Sequence, residues 1–276
     1  MIHFITVHFQ TDRWIRLQLA QIARHTTGEY RVWASIEGID PSSASAFDEV
    51  FEFSGSHPEK LNLLAERVLA TAAPDDLMVF IDGDAFPIAD IVPPVSRLLA
   101  HYPLIAVCRV ENMGDCQPHP CFAVTTVRLW REIGGDWTIG TPPYTEWTTT
   151  YGLRRTDAGA LLMANLAERG IPWCQLLRSN VRDLHPVMFG VYGNLVYHHG
   201  SGFRNPDITL DMYESGWLRW RGVPRGVGWL RMKRRAHSIR KLSEYVFGEI
   251  SRDVDAVRRI FLDTTSSSVE RVALRP

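Results

Sequence analysis

No stretch of this chain approaches the roughly 18 consecutive apolar residues that a membrane-spanning helix needs. Cysteine is scarce: Cys108, Cys116, Cys121 and Cys174 are the only four in 276 residues. None forms a CxxC pair, and the Cys116/Cys121 spacing fits no common zinc pattern, so free thiols in a reducing compartment are expected. A charge bias is also lacking. The 30 Lys and Arg against 31 Asp and Glu leave a net charge of -1, which supplies no general basic field for nucleic acid. The N-terminal segment MIHFITVHFQ runs into Asp12 and Arg13 with no basic region and no small-residue cleavage site. That argues for a protein that stays cytoplasmic as translated. There is no internal repeat. What is present is an ordinary apolar fraction of 45%, enough for one large domain, or one domain with an extension, to bury its own core without disulfides.

Strands and helices alternate through the first half. Ile2 to Phe9 is rich in β-formers. Asp12 can cap a helix running to about His25, with Ile15, Leu19 and Ile22 on one face. Tyr30 to Ile36 predicts a second strand and Val50 to Phe53 a short third. Leu61, Leu64, Ala65, Val68, Leu69 and Ala72 then repeat at helical spacing until Pro74. Leu77 to Ile81 is the next strand. A helix with Pro93 and Pro94 in its first turn and a strand over Leu104 to Val110 follow. This alternation predicts a three-layer α/β/α sandwich with a mostly parallel central sheet.

Beyond Val110 the pattern breaks. Residues 111–121 predict a loop, Phe122 to Val127 a strand, and Leu129 to Ile133 a short helix. Residues 136–156, with Trp137, Tyr144, Trp147 and Tyr151 at irregular spacing, suggest a binding loop more than core. A helix is expected from Thr156-Asp157 to Gly170, stopped by Pro172, and strand or loop over 187–199. Residues 217–241 are basic and interleaved with Trp217, Trp220 and Trp229. A final helix is expected from Ser238 to about Leu262. The division predicted is a domain over 1–205, with halves meeting near 110, and a basic helical extension over 206–276.

The most informative run is Leu77-Met-Val-Phe-Ile-Asp-Gly-Asp-Ala-Phe-Pro87. Five apolar residues, the pattern of a strand buried on both faces, end in Asp82 and Asp84. Two carboxylates so close repel unless a cation neutralises them, and Gly83 lets the backbone bend between them. In open α/β sheets the carboxyl ends of the strands are where ligands sit. The expectation is a divalent metal there.

Four further candidates follow from residue chemistry. His198 and His199, in HHGSG, offer imidazole ligands; with two aspartates they suit Mn²⁺ better than Mg²⁺. Which of the two turns inward stays open. Asp157 is either a first-turn acid favoured by the helix dipole or a general base toward a hydroxyl. Asp136, in GGDW, is the alternative catalytic acid or an acceptor contact. Lys60 and Asn62 stand at a helix N-terminus, where a diphosphate would be favoured; a solvated lysine is the plainer alternative.

Taken in order, these pieces resemble the GT-A glycosyltransferases, the nucleotide-diphospho-sugar transferase fold, over roughly residues 1–205. The resemblance is carried by an N-terminal strand with no Gly-rich loop, VFIDGDAFP as a D-x-D motif, the segment FAVTTVRLWREIGGDW, and an acid, Asp157, opening the next helix. HHGSG resembles the late histidine that completes the metal site in several such families. The resemblance implies a metal-dependent transfer of sugar from a UDP- or GDP-linked donor to an acceptor hydroxyl. The donor's diphosphate would meet a metal held by Asp82 and Asp84, with Asp84 the more direct ligand and Gly83 alongside. Thr6 and Val7 would line the nucleotide, and Glu37 or Asp40 would meet its base or ribose. Residues 1–110 would be the nucleotide-sugar half and 111–205 the acceptor half. Asp157 would deprotonate the acceptor if the reaction inverts. Thr156-Asp157 stands where the commonest inverting pattern has two consecutive acids.

The basic segment 217–241 would suit an anionic membrane and a lipid-linked acceptor, or a solvated or packed face. Three rival classes would leave other marks. A phosphohydrolase of the haloacid dehalogenase type would carry its D-x-D on the first strand, followed by Gly-Thr. A nucleotidyltransferase would need a Gly-rich loop where His8-Phe9-Gln10-Thr11 stands. A non-catalytic sugar- or partner-binding protein on a degenerate scaffold would not need both acids.

Overall fold

The computed structural model describes residues 1–112, 114–141, 147–148, 154–185, 187–200 and 225–263. Its elements are β1 (Ile2–Phe9), α1 (Ile15–His25), β2 (Tyr30–Glu37), β3 (Glu49–Phe51), α2 (His57–Thr71), β4 (Leu77–Asp82), β5 (Ala85–Pro87), α3 (Val92–Leu99), β6 (Leu104–Cys108), β7 (Pro118–Thr126), α4 (Val127–Glu132), β8 (Trp147–Thr148), β9 (Arg154–Arg155), α5 (Ala160–Glu168), β10 (Trp173–Leu176), β11 (Gly190–Tyr192), β12 (Val196–His198) and α6 (Arg225–Arg252).

The chain divides into two compact units. The first, residues 1–179 and 190–198, is built on a seven-stranded sheet of order β10-β6-β7-β4-β1-β2-β3. Its strand pairs are parallel except where β7 runs antiparallel to β4 and β6. The two-residue period of β1 shows how the layers form. Ile2 and Phe4 face a core shared with Ile15 and Ile22 of α1 and Val95 of α3. Ile5 and Val7 face the opposite core, with Leu61, Leu64 and Val68 of α2, Trp130 of α4 and Leu162 of α5. Helices thus cover both faces, the mostly parallel three-layer sandwich that the alternating pattern predicts. Burying side chains such as Leu61 and Leu64 completely stabilises the fold by about 1.5–3 kcal/mol each.

Several boundaries differ from expectation for physical reasons. Helix α1 begins only at Ile15, whose N–H bonds the main-chain oxygen of Asp12, so Asp12 starts a turn and not the helix. Strand β7 begins at Pro118, inside the segment expected to be a loop. Before Phe122 it pairs with β6 alone, and a strand open on one side tolerates the proline's missing donor. Helix α5 starts at Ala160, behind Gly159 with φ +95°, so Asp157 precedes the helix. Trp137 is fully buried against Phe80 and Trp130 and is core, not binding loop. Tyr144 and Tyr151 lie outside the described residues.

The second unit, residues 180–189 and 199–276, contains α6. This helix starts well before Ser238 and ends at Arg252, and Ile239, Leu242, Val246 and Ile250 form its buried stripe. Phe189 stacks on Phe261, and Val181 N–H bonds the Phe261 carbonyl. Most of the basic Trp-containing segment, 217–224 and the side chains of 225–236, lies outside the described residues, as does the tail after 263.

Candidate metal and nucleotide-sugar site

Strand β4 lies between β1 and β7 in the interior of the sheet, so its apolar run Met78–Ile81 is buried on both faces. The strand ends at Asp82, and Gly83 and Asp84 form a two-residue turn into β5. Gly83 makes this turn without a left-handed backbone. Strand β5 leaves the main sheet and pairs antiparallel with β12, which sets His198 opposite Ala85. That register is why a histidine far along the chain arrives beside Asp84. His198 Nε2 stands 3.4 Å from Asp82 Oδ2 and 3.3 Å from Asp84 Oδ1. One ligand atom from each of Asp82, Asp84 and His198 lies within 4.8 Å of the others, and all three residues are buried. A fourth group joins them: His57 Nε2, from the first residue of α2, is 3.1 Å from Asp82 Oδ1. The ring is close but not aligned as a hydrogen bond, and that oxygen has no aligned donor.

The electrostatics show what this arrangement asks for. Burial would raise the Asp82 pKa, but the His57 and His198 rings outweigh it and hold the carboxyl below its usual range. Burial would likewise lower the His198 pKa, yet Cys121 and Asp84 beside it hold it well above the ordinary imidazole value. A proton on His198 would offset only one of the two buried carboxylate charges. A divalent cation on the same three donors would offset both. Two hard oxygen ligands, one imidazole and an unsatisfied carboxylate oxygen suit Mn²⁺ and, less well, Mg²⁺. Cys121, on β7, is fully buried and hydrogen-bonds His198; burial pushes its thiol pKa up. His119, two residues earlier on the same strand, places its ring centroid 6.0 Å from that of His198.

Asp157 sits at the end of a buried charge chain. Its Oδ2 accepts from Arg109 Nη2 at 2.7 Å, its Oδ1 from Ala158 N–H at 2.8 Å, and its side chain is 45% exposed. Arg109 also donates to Asp115 Oδ2 at 3.3 Å. Burial would lower the Arg109 pKa, but Asp157 and Asp115 outweigh it and push it up. Asp157 is thus a fixed, half-open carboxylate on a buried cationic stem. Beside this stem, Tyr192 donates to Glu111 Oε1 at 2.7 Å.

The remaining candidates are placed as follows. Lys60 is buried, and its ammonium pairs with Glu37 and lies 5.1 Å from the centre of the Phe9 ring. Lys60 thus holds Glu37, at the end of β2, in place. Asp40 accepts from Ser42 N–H at 2.8 Å, which lowers its pKa. Asn62 donates to Asp136 Oδ1 at 2.6 Å and accepts from Trp137 N–H at 2.9 Å, a clasp between α2 and the segment after α4. Thr6 is fully buried with its hydroxyl on Gln18, and Val7 packs in the α2-side core. His199, in the second unit, is fully buried and 2.7 Å from Ser243 Oγ. The sequence alone assigns no site role to His57 or Arg109 and reads Cys121 only as a free thiol. His57 had a usable signal, an imidazole at a helix start; the other two had none without the strand pairing.

No protein-family model and no curated protein matches this sequence. Similar solved structures include TarS from S. aureus, at 8% identity and a TM-score of 0.37, over 50% of this chain and 30% of that one. The mannosyltransferase PcManGT from Pyrobaculum calidifontis, in complex with GDP-Man and Mn²⁺, is similar at 13% identity and a TM-score of 0.45, over 66% and 57%. The galactosyltransferase LgtC, in complex with donor and acceptor sugar analogs, is similar at 11% identity and a TM-score of 0.39, over 64% and 73%. The chain therefore spans under two thirds of the first two.

Proposed function

We propose that this protein is a metal-dependent glycosyltransferase that moves a sugar from a UDP- or GDP-linked donor to the hydroxyl of a sugar, lipid-linked or small-molecule acceptor. The observation that supports this best is the buried Asp82–Asp84–His198 group at the carboxyl end of a central strand. Asp82, Asp84 and His198 would hold the ion, Mn²⁺ in preference to Mg²⁺. When bound, it would act as a Lewis acid that neutralises charge growing on the leaving diphosphate.

The chain's own groups take the other roles. His57 braces Asp82 from the first residue of α2, whose first turn is already capped by Ser56 and Glu59, so the imidazole is the group of this helix end offered to the donor's diphosphate. Glu37, held by Lys60, meets the ribose or base. Asp157, held by Arg109, receives the acceptor hydroxyl and takes its proton in an inverting transfer. In a retaining transfer the same carboxylate orients the hydroxyl. Among the described residues no helix is long and apolar enough to cross a membrane. A lipid-linked acceptor would be met through the basic segment 217–241.

Calorimetry with UDP and with GDP, each with Mn²⁺ and with EDTA, tests the proposal. One nucleoside diphosphate should bind only with the metal present, and Asp84→Ala should remove that binding and sugar transfer together. Metal-independent binding of both nucleotides, or full transfer by Asp84→Ala, would overturn it.

A further inference from the structure

We propose that Gln18 is the positioning residue that sets the spacing of the metal-binding acids; this rests on the metal reading of Asp82 and Asp84. Gln18 lies on α1 between Ile15 and Ile22, on the helix's buried face, and has no solvent exposure. A primary amide has two N–H donors and one oxygen that accepts twice. Here every one of these is used. The Nε2 group donates to the main-chain oxygen of Asp82 at 2.7 Å and to that of Ala85 at 2.7 Å. These two carbonyls flank the Gly83-Asp84 turn, so one nitrogen clamps its entrance and its exit. The Oε1 atom takes contacts from Thr6 Oγ1 at 3.1 Å and His8 Nε2 at 3.1 Å, both on β1.

The orientation of the amide admits no alternative. Main-chain carbonyls only accept, so the nitrogen must face the turn. The oxygen then faces β1, and His8 must carry its proton on Nε2. Burial depresses the His8 pKa to about 4, so the ring remains the neutral donor this arrangement requires. A chain of polar contacts thus runs from β1 through Gln18 to the turn, within a layer otherwise made of Phe4, Ile15, Ile22, Ile81 and Ala85. A helix–sheet contact needing only packing would carry an aliphatic residue there. Without the two N–H groups, the Asp82 and Ala85 carbonyls would lose their shared donor in a buried place, which costs more than a hydrogen bond gains. The turn would open, and Asp84 would move relative to Asp82 and His198.

The test is Mn²⁺ affinity of the full chain, by calorimetry or by electron paramagnetic resonance, with thermal unfolding recorded alongside. The variants are Gln18→Glu, Gln18→Met and Asp84→Ala. Gln18→Glu keeps the shape and the oxygen facing Thr6 and His8 but removes the N–H donors. Groups that orient metal ligands typically change affinity by about 10- to 100-fold when mutated. The expected result is a loss of about tenfold or more in Mn²⁺ affinity for both Gln18 variants, transfer rates restored by excess Mn²⁺, and no Mn²⁺ binding by Asp84→Ala. If Gln18→Met does not fold, Gln18→Glu decides. The proposal is overturned if Asp84→Ala abolishes Mn²⁺ binding while folded Gln18 variants bind as wild type, or if their lost rate cannot be restored by Mn²⁺. Wild-type Mn²⁺ binding by Asp84→Ala would instead sink the metal reading, and this inference with it.

Discussion

His57 reaches Asp82 from the first turn of α2, Nε2 to Oδ1, at 3.1 Å. The other oxygen of the same carboxylate faces His198 at 3.4 Å, so Asp82 is held between two rings from distant parts of the chain. His57→Ala should therefore weaken both Mn²⁺ and nucleoside diphosphate binding, by about tenfold each, on the scale of groups that support metal ligands. Paired titrations with metal alone and with nucleotide plus metal would check this. An unchanged value in both would show that the ring is only a neighbour.

Asp157 should matter to the reaction and not to the donor. Asp157→Asn keeps the shape and removes the charge that Arg109 holds. It should lower kcat by about 10²- to 10⁴-fold, the range for general base catalysis, with the donor KM near that of wild type. Steady-state kinetics at saturating acceptor would read this split.

Stability should depend on pH through His8. In the folded protein this ring stays neutral down to about pH 4, whereas the free side chain takes its proton near 6.5. Between those values the unfolded chain binds the extra proton. The contribution is thus complete above about pH 6.5 and falls as pH drops toward 4, by roughly 3 kcal/mol at most. Burial lowers the His3 pKa as well, against the pull of Asp76, and acts with the same sign. Urea midpoints at pH 7 and pH 5 should fall more steeply in wild type than in His8→Gln.

Gly159→Ala should be among the most damaging single-methyl changes. The backbone there has φ +95°, and a Cβ would lie 2.0 Å from the Pro118 carbonyl oxygen. Left-handed strain alone costs about 1–3 kcal/mol outside glycine, and the clash would push the chain away from β7. Because Asp157 lies two residues earlier, its contact with Arg109 should loosen too. Differential scanning calorimetry should show a clearly lowered Tm, and transfer should fall further than the residual folded fraction explains.

How much of this was legible beforehand follows from the range of the forces involved. The β4 run and its terminal acids are local: five apolar residues and two aspartates announce a buried strand with a charged end, and the structure places them so. The helix over α2 was equally plain because its apolar period is unbroken. His198 was visible as an imidazole, but its choice over His199 as the neighbour of Asp84 depends on the β5–β12 register, which no local pattern encodes. Pro118 and Pro120 suggested a loop because local propensity disfavours them in strands; tertiary pairing on one side overrode it. Gln18 carried a faint signal, a polar residue at the place in a helical stripe where an aliphatic belongs. Arg109, following the apolar strand β6, gave no hint that it would bind two acids from later segments.

The strand pairing that delivers His198 has a consequence for the nascent protein. A growing polypeptide presents Asp82 and Asp84 long before β12 exists, and until then it has the acids without their imidazole. Such an intermediate cannot assemble all three donors, so under the proposed function metal-dependent transfer would wait until the late strand docks onto Ala85. The proposed metal centre would in this sense be a report on completed assembly, and fragments that stop short of β12 should fail to bind Mn²⁺ as the full chain does.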